Sequence, residues 1–333
     1  MGLTKDVKTK RIKQNINNLS IIEILRQSPL SFSVLLLFML YKITIKIMSL
    51  FKKITDYLKL IKFSHSVFAL PFAFIGALIA AQGIPTPSQL FWITVAMVGG
   101  RSGAMGMNRI IDRKIDALNP RTKNRELPRG IIKTWEASIF TAIAFALLLL
   151  AAYRLNPLCF KISPLVLLVL FTYSYTKRFT WLSHIVLGTA LSLAPFGAWI
   201  AVRGTFDFQI LPLCFAVMFW VAGFDVFYAL QDVDFDKAYG LYSIPSKFGV
   251  KTSLWIARLF HLITIGLLLS LIPVFNLGIF YFAGVFIATA LLLYEHSLVK
   301  SYDLSRLDMA FFNMNGYISI TIFVFTLMNY LIP

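Results

Sequence analysis

The sequence predicts an all-α protein, a polytopic membrane bundle of nine transmembrane helices, with one extra apolar segment near its N-terminus. Three observations carry that expectation. Of 333 residues, 58% are hydrophobic and 14% charged, where average soluble domains are about 25% charged, and the mean hydropathy is +0.75. The apolar residues fall in long runs instead of the short alternating segments of a membrane β-barrel. The charge of the connecting loops alternates along the chain. This composition excludes a soluble globular domain, a disordered chain and a disulfide-stapled secreted module.

Residues 1–51 form the first element, an N-terminal extension that is basic and apolar. It carries eight Lys or Arg, and its apolar run Pro29–Tyr41 is closed by Lys42 and Lys46. A run of about 13 residues is short for a membrane crossing. It resembles a signal-peptide core, but no small-residue cleavage site follows. The expectation is an extension from a mis-assigned start, with Met48 the true first residue.

Residues 52–333 form the main domain. Each crossing needs about 20 apolar residues, which gives nine spans: 64–84, 89–108, 135–153, 160–176, 183–202, 210–231, 253–273, 275–295 and 311–331. Pro71, Pro164, Pro195 and Pro212 lie within or at the ends of spans, where neighbouring helices can satisfy the freed backbone groups. Twenty Lys or Arg lie on one side: eight in 109–133, two in 177–178, four in 237–258, two in 300–306 and four in 52–62. The opposite connections and their span ends hold three, Arg154, Lys161 and Arg203. By the positive-inside rule the even-numbered loops face the cytoplasm. The expected location is the bacterial inner membrane or its equivalent, with the C-terminus outside. The formal net charge of +17 is then a partner to anionic membrane lipid and anionic substrate, not to nucleic acid. Cys159 and Cys214 have no metal-type spacing.

Carboxylates are costly near a bilayer, so their placement is informative. Six of the 15 acids fall in two windows: Asp112 and Asp116, then Asp225, Asp232, Asp234 and Asp236. Both lie at the cytoplasmic end of an even-numbered span. Asn108, Asp112 and Asp116 at i, i+4 and i+8 share one helix face. Asp232 and Asp236 are again four apart, and Asp225 lies seven before Asp232 with Tyr228 between. Two facing stripes make an all-oxygen pocket suited to Mg²⁺, which takes a few carboxylates together with waters and substrate phosphates. Taken singly, such pairs are more often solvated or paired with nearby bases; two at matching span ends favour function.

At these residues the chain resembles the UbiA superfamily of intramembrane aromatic prenyltransferases. Its first signature, NxxxDxxxD, is Asn108, Asp112 and Asp116, with Arg101 before it, Arg113 within it and Asn124-Arg125-Glu126-Leu127-Pro128-Arg129-Gly130 after it. Its second is Phe224-Asp225-Val226-Phe227-Tyr228-Ala229-Leu230-Gln231-Asp232-Val233-Asp234-Phe235-Asp236, then Gly240 and Ser243. A third block is Tyr173-Ser174-Tyr175-Thr176-Lys177-Arg178-Phe179-Thr180. The resemblance covers about residues 52–333. There are departures: Tyr242 stands where the family often has Lys, and Ser64-His65-Ser66 where 4-hydroxybenzoate enzymes have "DKP". The stretch Ser243–Gly249 is similar to the branch serving the futalosine route to menaquinone.

The resemblance implies a polyprenyl diphosphate donor, an aromatic hydroxy-acid acceptor such as 4-hydroxybenzoate or a dihydroxynaphthoate, and a role in ubiquinone or menaquinone biosynthesis. Asp112, Asp116, Asp232 and Asp236 would hold Mg²⁺ through the diphosphate and form the catalytic set. Asn108, Arg101, Arg113, Tyr173, Lys177, Arg178, Asp225 and Tyr228 would bind substrate. Asp234 is expected to face solvent. His65 and His184 are read as helix-packing residues, and His261 and His296 as interfacial. A different class, a secondary transporter for an anionic solute, is the competing reading; transporter sites lie at mid-membrane, whereas these acids lie at span ends beside basic loops.

Overall fold

The computed structural model describes residues 31–63, 66–300, 303–304, 306–307 and 309–332. The expectations placed on residues 1–30 and on Ser64-His65 lie outside these. The chain divides into two units, Met1–Tyr57 and Leu58–Pro333. The first unit contributes most of helix α1 (Ser31–Leu60), which runs unbroken across the expected boundary at residue 51.

The second unit is helical throughout. Among the described residues there is no β-strand, only an isolated bridge between Lys300 and Asp303. Its helices are α2 (Ser66–Ala81), α3 (Pro87–Leu118), α4 (Thr134–Leu155), α5 (Pro157–Thr176), α6 (Ser183–Arg203), α7 (Leu211–Ala229), α8 (Val233–Ala238), α9 (Ile244–Phe275), α10 (Ile279–Leu298) and α11 (Asn315–Leu331). Each of the nine expected spans overlaps one helix. Six segments are long and apolar enough to cross a membrane: α4, α5, α6, Phe208–Ala238, α9 and α10. The other three are α2, with 16 residues, α11, with 17 and a π-helical segment Met309–Met314 running directly into it, and α3. Helix α3 has 32 residues but carries Arg101, Arg109 and the acid stripe.

Local chemistry sets the ends that matter. A capping box between Thr86 and Gln89, with Pro87 in the first turn, starts α3. The helix then continues ten residues past the expected span end, so Asn108, Asp112 and Asp116 do share one α-helical face. The second stripe departs from its expected geometry. α7 tightens into a 3₁₀ turn over Leu230–Asp232 before α8 begins, and Asp232 has φ −112° and ψ 7°. The i, i+4 spacing of Asp232 and Asp236 is therefore not that of a continuous α-helix. Near its start α9 is bent at Gly249, whose φ of 78° and ψ of 167° belong to a region open essentially to glycine alone.

Small residues let the helices approach. A Cβ on Gly76 of α2 would sit 2.7 Å from the Pro195 carbonyl oxygen of α6, and one on Gly99 of α3 would sit 2.7 Å from the Ala144 carbonyl oxygen of α4. Around these contacts lies a core of Phe72, Ile75, Trp199, Leu213, Trp220 and Tyr281, all nearly or fully buried. His261 is also buried, which corrects its interfacial reading. Gly223 leaves room for its ring, whose Nε2 lies 3.3 Å from the Trp220 carbonyl and whose Nδ1 lies 3.0 Å from His296 Nε2.

Candidate active site

The C-terminal ends of α3 and α7, remote in sequence, meet at a polar cavity of about 270 Å³. Asn119, the residue capping the C-terminus of α3, donates its Nδ2 to Asp232 Oδ1 at 2.9 Å. Asn108, Asp112, Asp116, Asp225, Tyr228, Asp232 and Asp236 all line this space, as do Arg101, Tyr173 and Lys177. Arg178 stands behind Asp112, and Arg113 is exposed and outside the lining. On a helix Arg113 points about 100° away from the stripe that Asp112 defines. Asp234 is exposed as well.

Asp112, Asp116 and Asp232 are each paired with a cation of the chain itself. Asp112, 2% exposed, accepts from Lys177 Nζ at 2.5 Å, Arg178 Nη2 at 2.8 Å and Asn108 Nδ2 at 3.0 Å. Asp116 receives Arg125 Nη1 at 2.8 Å on both oxygens. Asp232 takes a two-pronged contact from Arg121, whose Nε lies 2.9 Å from Oδ1 and whose Nη2 meets Oδ2. Asp236 accepts from Ser243 Oγ at 2.9 Å. Burial lowers the proton affinity of the Arg121 guanidinium, but the bonds to Asp232 and Tyr228 more than offset it and hold the group above its ordinary value. Burial draws the Lys62 ammonium below its ordinary value, and the Tyr228 hydroxyl, 3.2 Å away, opposes that.

Six basic side chains line the cavity beside five acidic ones: Lys62, Arg101, Arg109, Arg121, Arg125 and Lys177. Among the described residues, no three His, Cys, Asp or Glu side chains are close enough together to cage a metal ion. The donor set is instead four carboxylates around an open cavity. That fits a hard cation such as Mg²⁺, which binds through few carboxylates and completes its shell with phosphate oxygens and water.

Several of these residues carried little or no signal in the sequence. Arg121 and Asn119 were two polar residues of a basic loop. Arg125 belonged to a recognised block but had no assigned role. His184, read as a packing residue, holds Asp225: its Nδ1 is 2.7 Å from Asp225 Oδ2. Asp225, expected to bind substrate, is thus held by a histidine.

A second, apolar cavity of about 140 Å³ adjoins the first. Helices α3 to α6 line it, with Ile93, Met97, Ala152, Cys159, Ile162 and Leu170 among the wall residues. The two cavities share Arg101, Tyr173, Leu187 and Leu191. At that junction Tyr173 donates its hydroxyl to the Ala104 carbonyl at 3.1 Å. The Arg101 Nε is buried there and has no hydrogen-bond partner among the described residues.

An apolar helical bundle with a polar, ion-paired cavity opening beside a greasy one marks an integral membrane protein. A family model described as the UbiA prenyltransferase family matches residues 69–317, and the chain belongs to that family; it is a membrane prenyltransferase. The 4-hydroxybenzoate octaprenyltransferase of Vibrio campbellii is 32% identical over 247 residues, covering 74% of this chain and 86% of that one. The enzyme of the same name from Pseudoalteromonas translucida is 32% identical over 254 residues, covering 76% and 86%. Among solved structures, a UbiA homologue from Aeropyrum pernix K1 is 32% identical, covers 78% of this chain and 96% of its own, and superposes with a TM-score of 0.73. A UbiA homologue from Archaeoglobus fulgidus, solved with DMAPP and Mg²⁺, shares the fold at 20% identity and a TM-score of 0.65, covering 84% and 100%.

Proposed function

We propose that this protein transfers a polyprenyl group from polyprenyl diphosphate to an aromatic hydroxy acid, 4-hydroxybenzoate in the first instance, in quinone biosynthesis. The observation that carries this reading is the convergence of two aspartate pairs on one cavity that adjoins an apolar one. The names of the relatives from Vibrio and Pseudoalteromonas support 4-hydroxybenzoate as the acceptor. The lysine- and arginine-rich loops support an active site on the cytoplasmic side of a bacterial inner membrane.

Asp112, Asp116, Asp232 and Asp236 are the residues that would hold Mg²⁺ through the diphosphate. When bound, Mg²⁺ supplies positive charge against which the diphosphate can leave. Lys177 and Arg178 now pair with Asp112, Arg125 with Asp116 and Arg121 with Asp232. On ligand entry these cations are within reach of phosphate oxygens, Arg as a fork and Lys as a point charge. The allylic carbon–oxygen bond breaks with its electron pair leaving on diphosphate. The ring carbon ortho to the phenol then bonds to the allylic carbon, and loss of the ring proton restores aromaticity. The rings of Tyr173 and Tyr228 stand where a developing cation would meet an aromatic face, a contact worth on the order of 1–2 kcal/mol when desolvated. Tyr228 already takes the Arg121 guanidinium 4.7 Å from its ring centroid. Arg101, with its unpartnered Nε at the junction, is suited to an anionic group on the ligand, and the apolar cavity to its hydrocarbon.

The test is purified full-length protein in detergent with Mg²⁺, geranyl diphosphate and a panel of hydroxybenzoate and hydroxynaphthoate acceptors. Prenylated 4-hydroxybenzoate is the expected product, abolished by EDTA and restored by Mg²⁺. Turnover of a dihydroxynaphthoate alone would move the protein to menaquinone synthesis. No prenylation of any acceptor, together with gradient-driven anion uptake in liposomes, would support a transporter instead.

A further inference from the structure

His184 lies at the start of α6, 3% exposed, and makes two hydrogen bonds of opposite kind. Its Nε2 is 3.2 Å from the backbone N–H of Ile244. That N–H can only donate, so Nε2 carries the lone pair and Nδ1 carries the proton. The Nδ1–H is therefore the donor to Asp225 Oδ2 at 2.7 Å. The geometry selects one neutral tautomer, because an imidazolium would turn an N–H toward the Ile244 N–H.

Ile244 is the first residue of α9, and the residue before it caps that helix. Ser243 Oγ accepts from the Ser246 N–H at 3.1 Å and donates to Asp236 Oδ2 at 2.9 Å. The same short segment is held to the α5–α6 connection by Tyr242 N–H to the Lys177 carbonyl, 2.7 Å, and by Ser183 Oγ–H to the Tyr242 carbonyl, 3.4 Å. His184 and Ser243 are the buried side chains among these ties. His184 joins three parts of the second aspartate block: Asp225 on α7, Asp236 through Ser243, and the start of α9.

We propose that His184 is a positioning residue for the second aspartate pair: it clamps the start of α9 so that Ser243 aims Asp236 into the cavity, and it fixes the rotamer of Asp225. The inference rests on the proposed function, in that the aimed carboxylate serves metal-diphosphate binding. Its own content is which side chain does the aiming.

The experiment measures binding separately from turnover. Full-length protein in detergent is titrated with Mn²⁺ in the presence of inorganic pyrophosphate, and bound Mn²⁺ is read by electron paramagnetic resonance. Three chains are compared: unaltered, His184→Ala and His184→Gln. Gln can place its amide oxygen near the former Nε2 and so keep the Ile244 bond. Loss of an outer residue that orients ligands weakens metal binding about 10- to 100-fold, and that is the loss expected for His184→Ala. His184→Gln is expected to recover most of the affinity, with the KM for 4-hydroxybenzoate in both variants within about twofold of the unaltered chain. Equal Mn²⁺ affinity in all three chains would overturn the inference, and so would a Gln variant no better than Ala. If His184→Ala does not fold, the Gln variant is compared with His184→Asn, which reaches Asp225 but not Ile244; weaker binding by Asn supports the clamp and equal binding overturns it. If the unaltered chain binds no Mn²⁺ with pyrophosphate, the proposed function itself falls, and the inference with it.

Discussion

Asp112 shows how tightly the candidate site is wound at the level of single side chains. Three donors, one on α3 and two in the turn after α5, converge on one buried carboxylate. Removing the charge leaves Lys177 and Arg178 facing a neutral group, and the pair's value is moderated by their partial exposure of 32% and 28%. We expect Asp112→Asn to keep the fold and to lower kcat on the order of 100-fold, with unchanged elution on size exclusion in detergent. Asp232→Asn should act likewise, because it breaks the opposite pair. Near-normal turnover in either variant would remove that residue from the site. Arg101 makes a different prediction, since its Nε is left without a partner at the junction of the two cavities. A hydrogen bond to a charged group contributes about 1.5–3 kcal/mol, so Arg101→Gln should raise the KM of a carboxylate-bearing acceptor by about tenfold or more. An acceptor lacking the carboxylate should show no such change. Equal effects on both acceptors would assign Arg101 to the diphosphate instead.

At the scale of helices, the site depends on where elements end. α3 overruns its apolar stretch, and this overrun carries Asp112 and Asp116 toward the aspartates of α7 and α8. The bend at Gly249 lets the first turn of α9 lie apart from the axis of the rest, and that first turn is the one Ser243 caps. A side chain at φ 78° and ψ 167° is strained by about 1–3 kcal/mol. Gly249→Ala is therefore expected to lower the thermal midpoint in detergent and to weaken Mn²⁺-pyrophosphate binding together. Loss of stability with binding intact would show that the bend serves packing alone. Gly99→Val should also lower the midpoint, since even a Cβ would meet the α4 backbone. Its effect on KM should be small, because the contact lies toward the middle of α3.

For the whole molecule, the central statement is sidedness. The two free cysteines, Cys159 and Cys214, are buried, so a single introduced cysteine can report topology. Lys123 lies in the exposed stretch of the basic loop after α3, and Thr205 lies in the exposed connection after α6. With the loops oriented as their charge implies, Lys123→Cys should react with a membrane-impermeant maleimide only in inverted vesicles, and Thr205→Cys only in right-side-out cells. The reverse pattern would place the cavity on the outer face.

The sequence by itself determined the helical membrane class, the approximate position of each helix after residue 63 that overlaps an expected span, and the family, because long apolar runs, loop charge and closely spaced signature residues are local properties of the chain. It also singled out the aspartates, since acids beside apolar spans stand out against their surroundings. What only the tertiary structure decided is who faces whom. Arg121 and Asn119 reach Asp232 across more than a hundred residues, His184 reaches Asp225 across 41, and Arg113, inside the signature, turns away. The 3₁₀ turn before α8 was hidden as well. Spacing rules assume one regular helix, whereas the backbone adjusts its pitch and ends to the packing around it. Hydrogen bonds between distant segments leave no periodic mark on either one.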